Sequence, residues 1–367
     1  MINFNNQVLQ FEENKKTVYE YTNNIFKHGY VFDCPYALTL TNFIKDLYNN
    51  ADVQLTSSGT TALQAALLSL ELPKNSRILI PTMTFAATAQ AALSVGCIPT
   101  FVDVDESWLL DFKHLEEVYK IYSDEISAVI VVDLYGQGCD IEKLNRWCKN
   151  KNLKLVIDAA QSFGLTNKHY DQTIADAICL SFNHHKNFNG VGGGGAVVTK
   201  VLDLQKLYSS CVVGKTVSGP DGRINFHGLN FRITAIQTAL IAANINLYEK
   251  RKKQKTNIIE KYFYSFDKFR DKLKFPKEGF YNNFNWYVFP LSPINYEHVI
   301  KELDINSINY GHHYKFPLHK ENLFSPFNNH SCPYAESLAN KILSIPSHTH
   351  LTDEETDKII QTVISSL

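Results

Sequence analysis

The chain has no CxxC pair, no net charge of consequence, no internal repeat and no low-complexity tract. Each absence removes a class. Its seven cysteines are an odd number, and Cys97, Cys179 and Cys211 fall inside apolar runs, so they read as reduced core residues of a cytoplasmic protein. Lys and Arg number 36 against 37 Asp and Glu, a balance that argues against bulk attraction to nucleic acid or to a membrane surface. No apolar run approaches the ~20 residues that span a bilayer. Met1-Ile2-Asn3-Phe4-Asn5-Asn6 lacks the basic and apolar segments of a signal peptide, and none is expected. The histidine groups His184-His185, His312-His313 and His348-x-His350 lack both i,i+4 helical spacing and cysteine partners, so no metal is expected. Gly192 to Gly195 match neither a P-loop nor GxGxxG, and close backbone packing or a mobile loop explains them better.

What remains is a chain of 367 residues, 44% hydrophobic, long enough for one large core and a smaller second domain. Between residues 57 and 200, short β-branched runs alternate with helical spacing. Strands are predicted at 77–80, 99–104, 128–134, 153–158 and 177–182, and helices at 60–70, 85–94 and 141–150. Apolar rather than alternating strands imply a sheet buried on both faces and largely parallel. Helical spacing returns at 234–249 and runs into Lys250-Arg251-Lys252-Lys253-Gln254-Lys255, which reads as a solvated helix face. Beyond Phe275 the pattern changes to a strand at 286–291, a helix at 298–303 and a closing helix at 353–366. That change marks a small α+β domain, placing the division at 1–249 and 250–367. The Asn-rich start and Asn282-Asn283 are loop-like.

Two residues carry the chemistry. Lys186 stands in Ser181-Phe182-Asn183-His184-His185-Lys186-Asn187, after one apolar run, and Asp158 ends the run before it. A lysine and an acid at neighbouring strand ends suit pyridoxal phosphate: the lysine carries the cofactor as a Schiff base and the acid keeps the pyridine nitrogen protonated. The bland reading of Asp158 is a helix N-cap, and that of Gln161 the completion of a capping pattern. Ser57-Ser58-Gly59-Thr60-Thr61 opens a helix after Val53-Gln54-Leu55, where free N–H groups and the positive end of the dipole suit a phosphate; a plain N-cap is the alternative. Phe85 stacks on the ring or belongs to the core. One histidine of the pair beside Lys186 is a candidate to line the site.

These segments together resemble the DegT-type sugar aminotransferases, within the aspartate-aminotransferase-like, fold type I enzymes. The resemblance runs nearly end to end. It covers Ser58 to Leu63, Pro81 to Thr88, Pro99 to Asp105, Leu134-Tyr135-Gly136-Gln137, Ile157 to Gln161, Ser181 to Asn187, Gly228 to Arg232 and Ile345-Pro346-Ser347-His348 with Leu351-Thr352. It implies a large three-layer α/β/α domain with a mainly parallel sheet, and a homodimer with shared sites. It also implies transfer of an amino group from an amino acid, glutamate, to a keto-sugar that is nucleotide-linked, in amino-sugar and polysaccharide biosynthesis. By the same resemblance Lys186 holds the cofactor and shuttles the proton, Asp158 pairs with the pyridinium, Gln161 lies near the phenolic oxygen and Phe85 stacks on the ring. Ser58, Gly59, Thr60 and Ser181 hold the phosphate, with Asn230 reaching it from the partner chain. Pyridoxamine phosphate is the form of the cofactor during turnover. Sugar dehydration or another lyase reaction on the same fold, and a non-catalytic regulator, are the alternatives; Lys186 disfavours dehydration, since relatives that dehydrate carry histidine there. One departure is Gly193, where relatives usually carry an acidic residue that bears on loop anchoring. The segments 212–226 and 311–323 are expected to select the substrate.

Overall fold

The computed structural model describes residues 1–165, 175–216, 222–276, 285–327 and 330–367. Asn282-Asn283 and residues 217–221 of the expected substrate loop lie outside the described residues. The large sheet has seven strands: β1 (Asp52–Thr56), β2 (Arg77–Pro81), β3 (Ile98–Val102), β4 (Ile126–Val132), β5 (Lys154–Asp158), β6 (Ala177–Ser181) and β7 (Gly195–Thr199). Their spatial order is β1-β7-β6-β5-β4-β2-β3. Pairs β2–β3, β2–β4, β4–β5 and β5–β6 are parallel, and β7 runs against both of its neighbours. The mainly parallel sheet is therefore present, with one reversed strand inside it. Residues of β6 and β7 are buried throughout, as a sheet covered on both faces requires. Helix Gly59–Ser69 packs on β1, β6 and β7, helix Ile141–Asn150 on β5 and helix Phe112–Tyr122 on β3.

Strand direction decides where a ligand sits. Thr56, Pro81, Asp158 and Ser181 are the last residues of β1, β2, β5 and β6, so the segments that follow them emerge at one edge of the sheet. Ligands collect at that edge in open α/β sheets.

A second, antiparallel sheet contains β8 (Leu273–Lys274), β9 (Phe289–Pro293) and β10 (Leu343–Ile345) in the order β10-β9-β8. Helix Tyr296–Ile305 packs on β9 and on the closing helix Asp353–Ser365. The capping box of that closing helix, Thr352 with Glu355, satisfies its first-turn amides. Helix Tyr248–Phe266 joins the two sheets: the Tyr248 hydroxyl donates to the Phe163 carbonyl at 3.2 Å, and that of Tyr262 to the Pro346 carbonyl at 2.6 Å. Residues 1–3 return to the smaller sheet's side, where Ile2 bridges Ile308.

Three segments differ from the sequence expectation. The helical spacing predicted at 234–249 is divided into Ala235–Ala242 and Tyr248–Phe266. Asn244 interrupts it, because its amide donates to the carbonyls of Leu240 and Asn189 and accepts from Arg251. The strand predicted at 286–291 begins at Phe289, since Asn285 and Tyr287 donate their backbone N–H groups to Gly136 and Tyr135 of the large layer instead. The basic run is only partly a solvated face. Arg251 is buried in an ion pair with Glu13 at 3.0 Å, while Lys255 turns toward Asn187.

Candidate active site

The strand ends enclose a cavity of about 540 Å³. Ser58, Gly59, Thr60, Phe85, Asp158, Gln161, Ser181 and Lys186 all line it. Asn230 does not; it is exposed, and its side-chain Oδ1 accepts from Arg232 Nε at 3.1 Å.

One end of the cavity is the turn from β1 into helix Gly59–Ser69. Ser58 Oγ accepts from the Thr61 amide at 3.1 Å while Thr61 Oγ1 accepts from the Ser58 amide at 2.9 Å, so a capping box is formed. It satisfies Thr61 and leaves the Gly59 and Thr60 amides, at the positive end of the helix, to face the cavity. The side chain of Ser58 is thus occupied by the cap, and the backbone after it is what an anion meets. Glycine is required at 59: a Cβ there would lie 2.7 Å from Ser181 Cβ. Gly195 is equally constrained, because a Cβ would collide with the Ser58 carbonyl. Close packing, rather than phosphate cradling, explains that end of the glycine run. At its start, Gln237 Nε2 donates to the carbonyls of Gly192 and Gly193 at 3.0 and 3.3 Å, so the loop is anchored without an acidic residue at 193.

Across the cavity, Asp158 is buried and accepts from Thr88 Oγ1 at 2.7 Å and from the Ala160 amide at 3.1 Å. Residues 159–165 form turns rather than a helix, so Asp158 caps nothing. Burial pushes its carboxyl above the usual range, opposed by those two hydrogen bonds and by Lys186. A buried acid so placed is stabilised by a cation set against it. Lys186 is half-buried, and burial brings its ammonium down to about 8, with Asp158 opposing. Its loop is fixed on both sides: the Lys186 amide donates to Asn183, and Asn189 and Asn187 donate to the carbonyls of Lys186 and Asn285. Phe85 is 61% exposed and lines the cavity, which removes the core reading.

Gln161, which also lines the cavity, has both ends of its amide already engaged. Its oxygen accepts from the Tyr135 amide at 2.8 Å and its nitrogen donates to the Tyr314 hydroxyl at 2.7 Å. The group it orients is therefore Tyr314, which the sequence reading did not single out, and nor did it single out Thr88 or Tyr287. Tyr287 lies under Lys186, its ring centroid 4.2 Å from Nζ. Tyr314 follows His312-His313, a pair weighed only as metal ligands; His313 instead lines the cavity, and burial first, then Lys186, holds it down to about 4. His348 and His350 belong elsewhere, against Asn3 and Glu13.

A lysine, a buried acid at the next strand end, a helix N-terminus and an exposed aromatic ring around one cavity define a pyridoxal phosphate site of fold type I. The residues fit the group at both ends: helix N-terminal amides for its phosphate, and a buried carboxyl for its ring nitrogen. Residues 12–364 match the DegT/DnrJ/EryC1/StrS aminotransferase family, and the chain belongs to it. A relative from Acidithiobacillus ferrooxidans, the UDP-N-acetyl-3-dehydro-alpha-D-glucosamine 3-aminotransferase, is 27% identical over 318 residues, 85% of this chain and 83% of that one. Among solved structures, a DegT DnrJ EryC1 StrS aminotransferase from Brucella abortus superposes with a TM-score of 0.90 at 23% identity, covering 100% of this chain and 99% of that one. Ntda from Bacillus subtilis, solved with bound cofactor pmp, superposes at 0.88 and 22% identity, covering 96% of this chain and 82% of that one. The chain is an aminotransferase and its cofactor is pyridoxal phosphate. Among the described residues no helix is long and apolar enough to cross a membrane.

Proposed function

We propose that this enzyme moves an amino group from glutamate to a keto-sugar carried on a nucleotide, in amino-sugar and polysaccharide biosynthesis. The observation that carries the reading is the presence of Lys186 and Asp158, each acting on the other's charge, in one cavity that a helix N-terminus also lines. The nucleotide-linked acceptor is supported by the Acidithiobacillus relative, which is named for a UDP-linked substrate.

The cofactor, when bound, serves as an electron sink and carries the amino group between the two substrates. The Gly59 and Thr60 amides, with Ser181, hold its phosphate. Asp158, kept in place by Thr88 and the Ala160 amide, holds the ring nitrogen protonated. Phe85 covers the ring. Lys186 binds the cofactor covalently and afterwards, as a free amine, moves a proton at the substrate carbon. Its lowered pKa leaves about a tenth of the amine unprotonated at pH 7, far more than an ordinary lysine has, which suits a base. Tyr314, fixed by Gln161, offers a hydroxyl in the same cavity. The neutral His313 presents no charge to an incoming sugar. In this reading the chain divides at 249/250 and works as a cytoplasmic homodimer, with Asn230 of one subunit meeting the phosphate of the other.

Glutamate alone is expected to convert the bound cofactor to its amine form, followed by its absorbance. A panel of UDP-, GDP- and dTDP-linked keto-sugars then restores the starting spectrum with the true acceptor. No change with glutamate or any other amino acid would sink the aminotransferase reading of this site. Conversion without recovery on any nucleotide-linked ketone would remove the acceptor class.

A further inference from the structure

Residues 2–5 run from the smaller sheet's side to side chains that line the cavity. Ile2 donates its amide to the Ser307 carbonyl at 2.8 Å and accepts from the Asn309 amide at 2.9 Å, and His348 Nε2 donates to the Asn3 carbonyl at 3.1 Å. The next two residues each meet a histidine of the cavity. The Phe4 ring stacks on that of His313, with centroids 5.7 Å apart and planes at 22°. Asn5 Nδ2 donates to His185 Nδ1 at 2.9 Å. His185 directly precedes Lys186, and both act on the charge of His313, so the three nitrogen groups lie close together. A neutral imidazole carries one proton. With Nδ1 accepting from Asn5, that proton is on Nε2, which no other group among the described residues engages.

We propose that Asn5 is a positioning residue for His185, orienting the ring so that its Nε2–H donates to the carboxylate of the amino donor. The inference rests on the reading of this cavity as the place where an amino acid meets Lys186. The helix amides and Asp158 are taken by the two ends of the cofactor, and Lys186 by its covalent bond and the proton it moves. The carboxylate beside the donor's reacting carbon needs hydrogen-bond donors of its own. Among the described residues lining the cavity there is no arginine, and no lysine besides Lys186. His185 and His313 stand beside it instead, both held below their ordinary range, burial being the first cause, and both mainly uncharged at neutral pH. Such donors suit a place used twice. A carboxylate occupies it with the amino acid, and an uncharged sugar carbon replaces it with the acceptor. A fixed guanidinium would be stranded without a partner in the second half. An imidazole N–H donates to a carboxylate oxygen or to a sugar oxygen alike.

The test uses the full-length holoenzyme with L-glutamate as the probe, and follows conversion of the cofactor to its amine form by absorbance over a single turnover. His185→Phe removes the donor and is expected to raise the half-saturating glutamate concentration about tenfold or more, as loss of a hydrogen bond to a charged group does. His185→Gln sets an amide nitrogen near the position of Nε2 and should hold that concentration within about threefold of the unaltered protein. Asn5→Ala should raise it about threefold and leave the saturated rate within about twofold, because only the orientation of the ring is lost. The Asn5 contact is read separately, by nitrogen NMR of the imidazoles in cofactor-free protein, with the His185 signals assigned by their absence in His185→Gln. The unaltered ring should carry its proton on Nε2. Asn5→Asp sets a carboxylate against Nδ1 and should raise the His185 titration midpoint by about one pH unit. An unchanged half-saturating concentration in His185→Phe, a glutamine variant no better than phenylalanine, a proton on Nδ1 or an unmoved midpoint in Asn5→Asp overturns the proposal. A purely structural role lowers the saturated rate in every variant and gives no rescue by glutamine. If glutamate leaves the unaltered protein unconverted, the amino-donor reading falls and the carboxylate assignment with it, while NMR still decides the contact between Asn5 and His185.

Discussion

Gly59→Ala puts a single methyl group where the structure has no room. The new Cβ would lie 2.7 Å from Ser181 Cβ and 3.0 Å from its Oγ. Neither atom belongs to a flexible chain end: Ser181 closes a buried strand of the central sheet, and Gly59 opens the helix packed on it. Relief therefore requires the helix to move off β6. Overpacking of this kind costs about 1–3 kcal/mol. The gain from replacing a helical glycine offsets about 0.4–1 kcal/mol, leaving a net loss of about 1–2 kcal/mol. Ser181→Gly removes both of the nearest atoms, and the next contact, Ser181 Cα at 3.4 Å, is ordinary. The double variant Gly59→Ala/Ser181→Gly should thus lose less than the sum of the single variants, by about 1–2 kcal/mol of coupling. Denaturant unfolding of the four cofactor-free proteins measures this cycle. Cofactor affinity should fall in parallel, because the same methyl displaces the amides that face the cavity. Additive losses, or a stable Gly59→Ala protein with unchanged affinity, would refute the packing argument and with it the placement of the phosphate.

Asp158→Asn keeps the shape of the site and the bond accepted from the Ala160 amide, turns the Thr88 contact into one that asparagine donates, and removes the charge, so turnover should fall by orders of magnitude with modest loss of cofactor binding; near-normal turnover would end the pyridinium assignment. The same variant should be more stable than the unaltered protein in the absence of cofactor at neutral pH. Burial raises the folded-state pKa of Asp158, so its carboxylate costs stability as pH rises through and above the carboxylate range, and the difference should vanish below about pH 4. Borohydride reduction followed by peptide mapping should place the pyridoxyl group on the Lys186 peptide, and a label on another lysine would exclude it. Mixing Lys186→Ala with Asn230→Asp subunits should restore about a quarter of the sites if Asn230 acts across a symmetric dimer. With exchange shown by native mass spectrometry, absence of recovery would refute the shared site.

The alternation of apolar runs with helical spacing was enough to indicate a buried, mainly parallel sheet, because a strand covered on both faces needs apolar residues at every position. Strand ends followed from the same runs, and Asp158 was legible as the residue that terminates one and Lys186 as a residue of the loop after the next. The turn at Ser58-Gly59 was legible too, since capping is local and depends on neighbours within a few residues. Contacts distant in sequence were not. Gln161 reads locally as part of a cap, yet its amide is used by Tyr135 and Tyr314, the latter 153 residues away. Tyr287 sits in what looks like the start of a strand and pairs with the large layer instead, which brings its ring under Lys186. Lys255 belongs by pattern to a solvated basic run, and only the packing of helix Tyr248–Phe266 between the two sheets turns it inward. Periodicity and capping are written along the chain and can be read from it. Which side chain completes a buried hydrogen bond, or crowds a buried charge, is decided by segments that meet only when the two sheets close on one another.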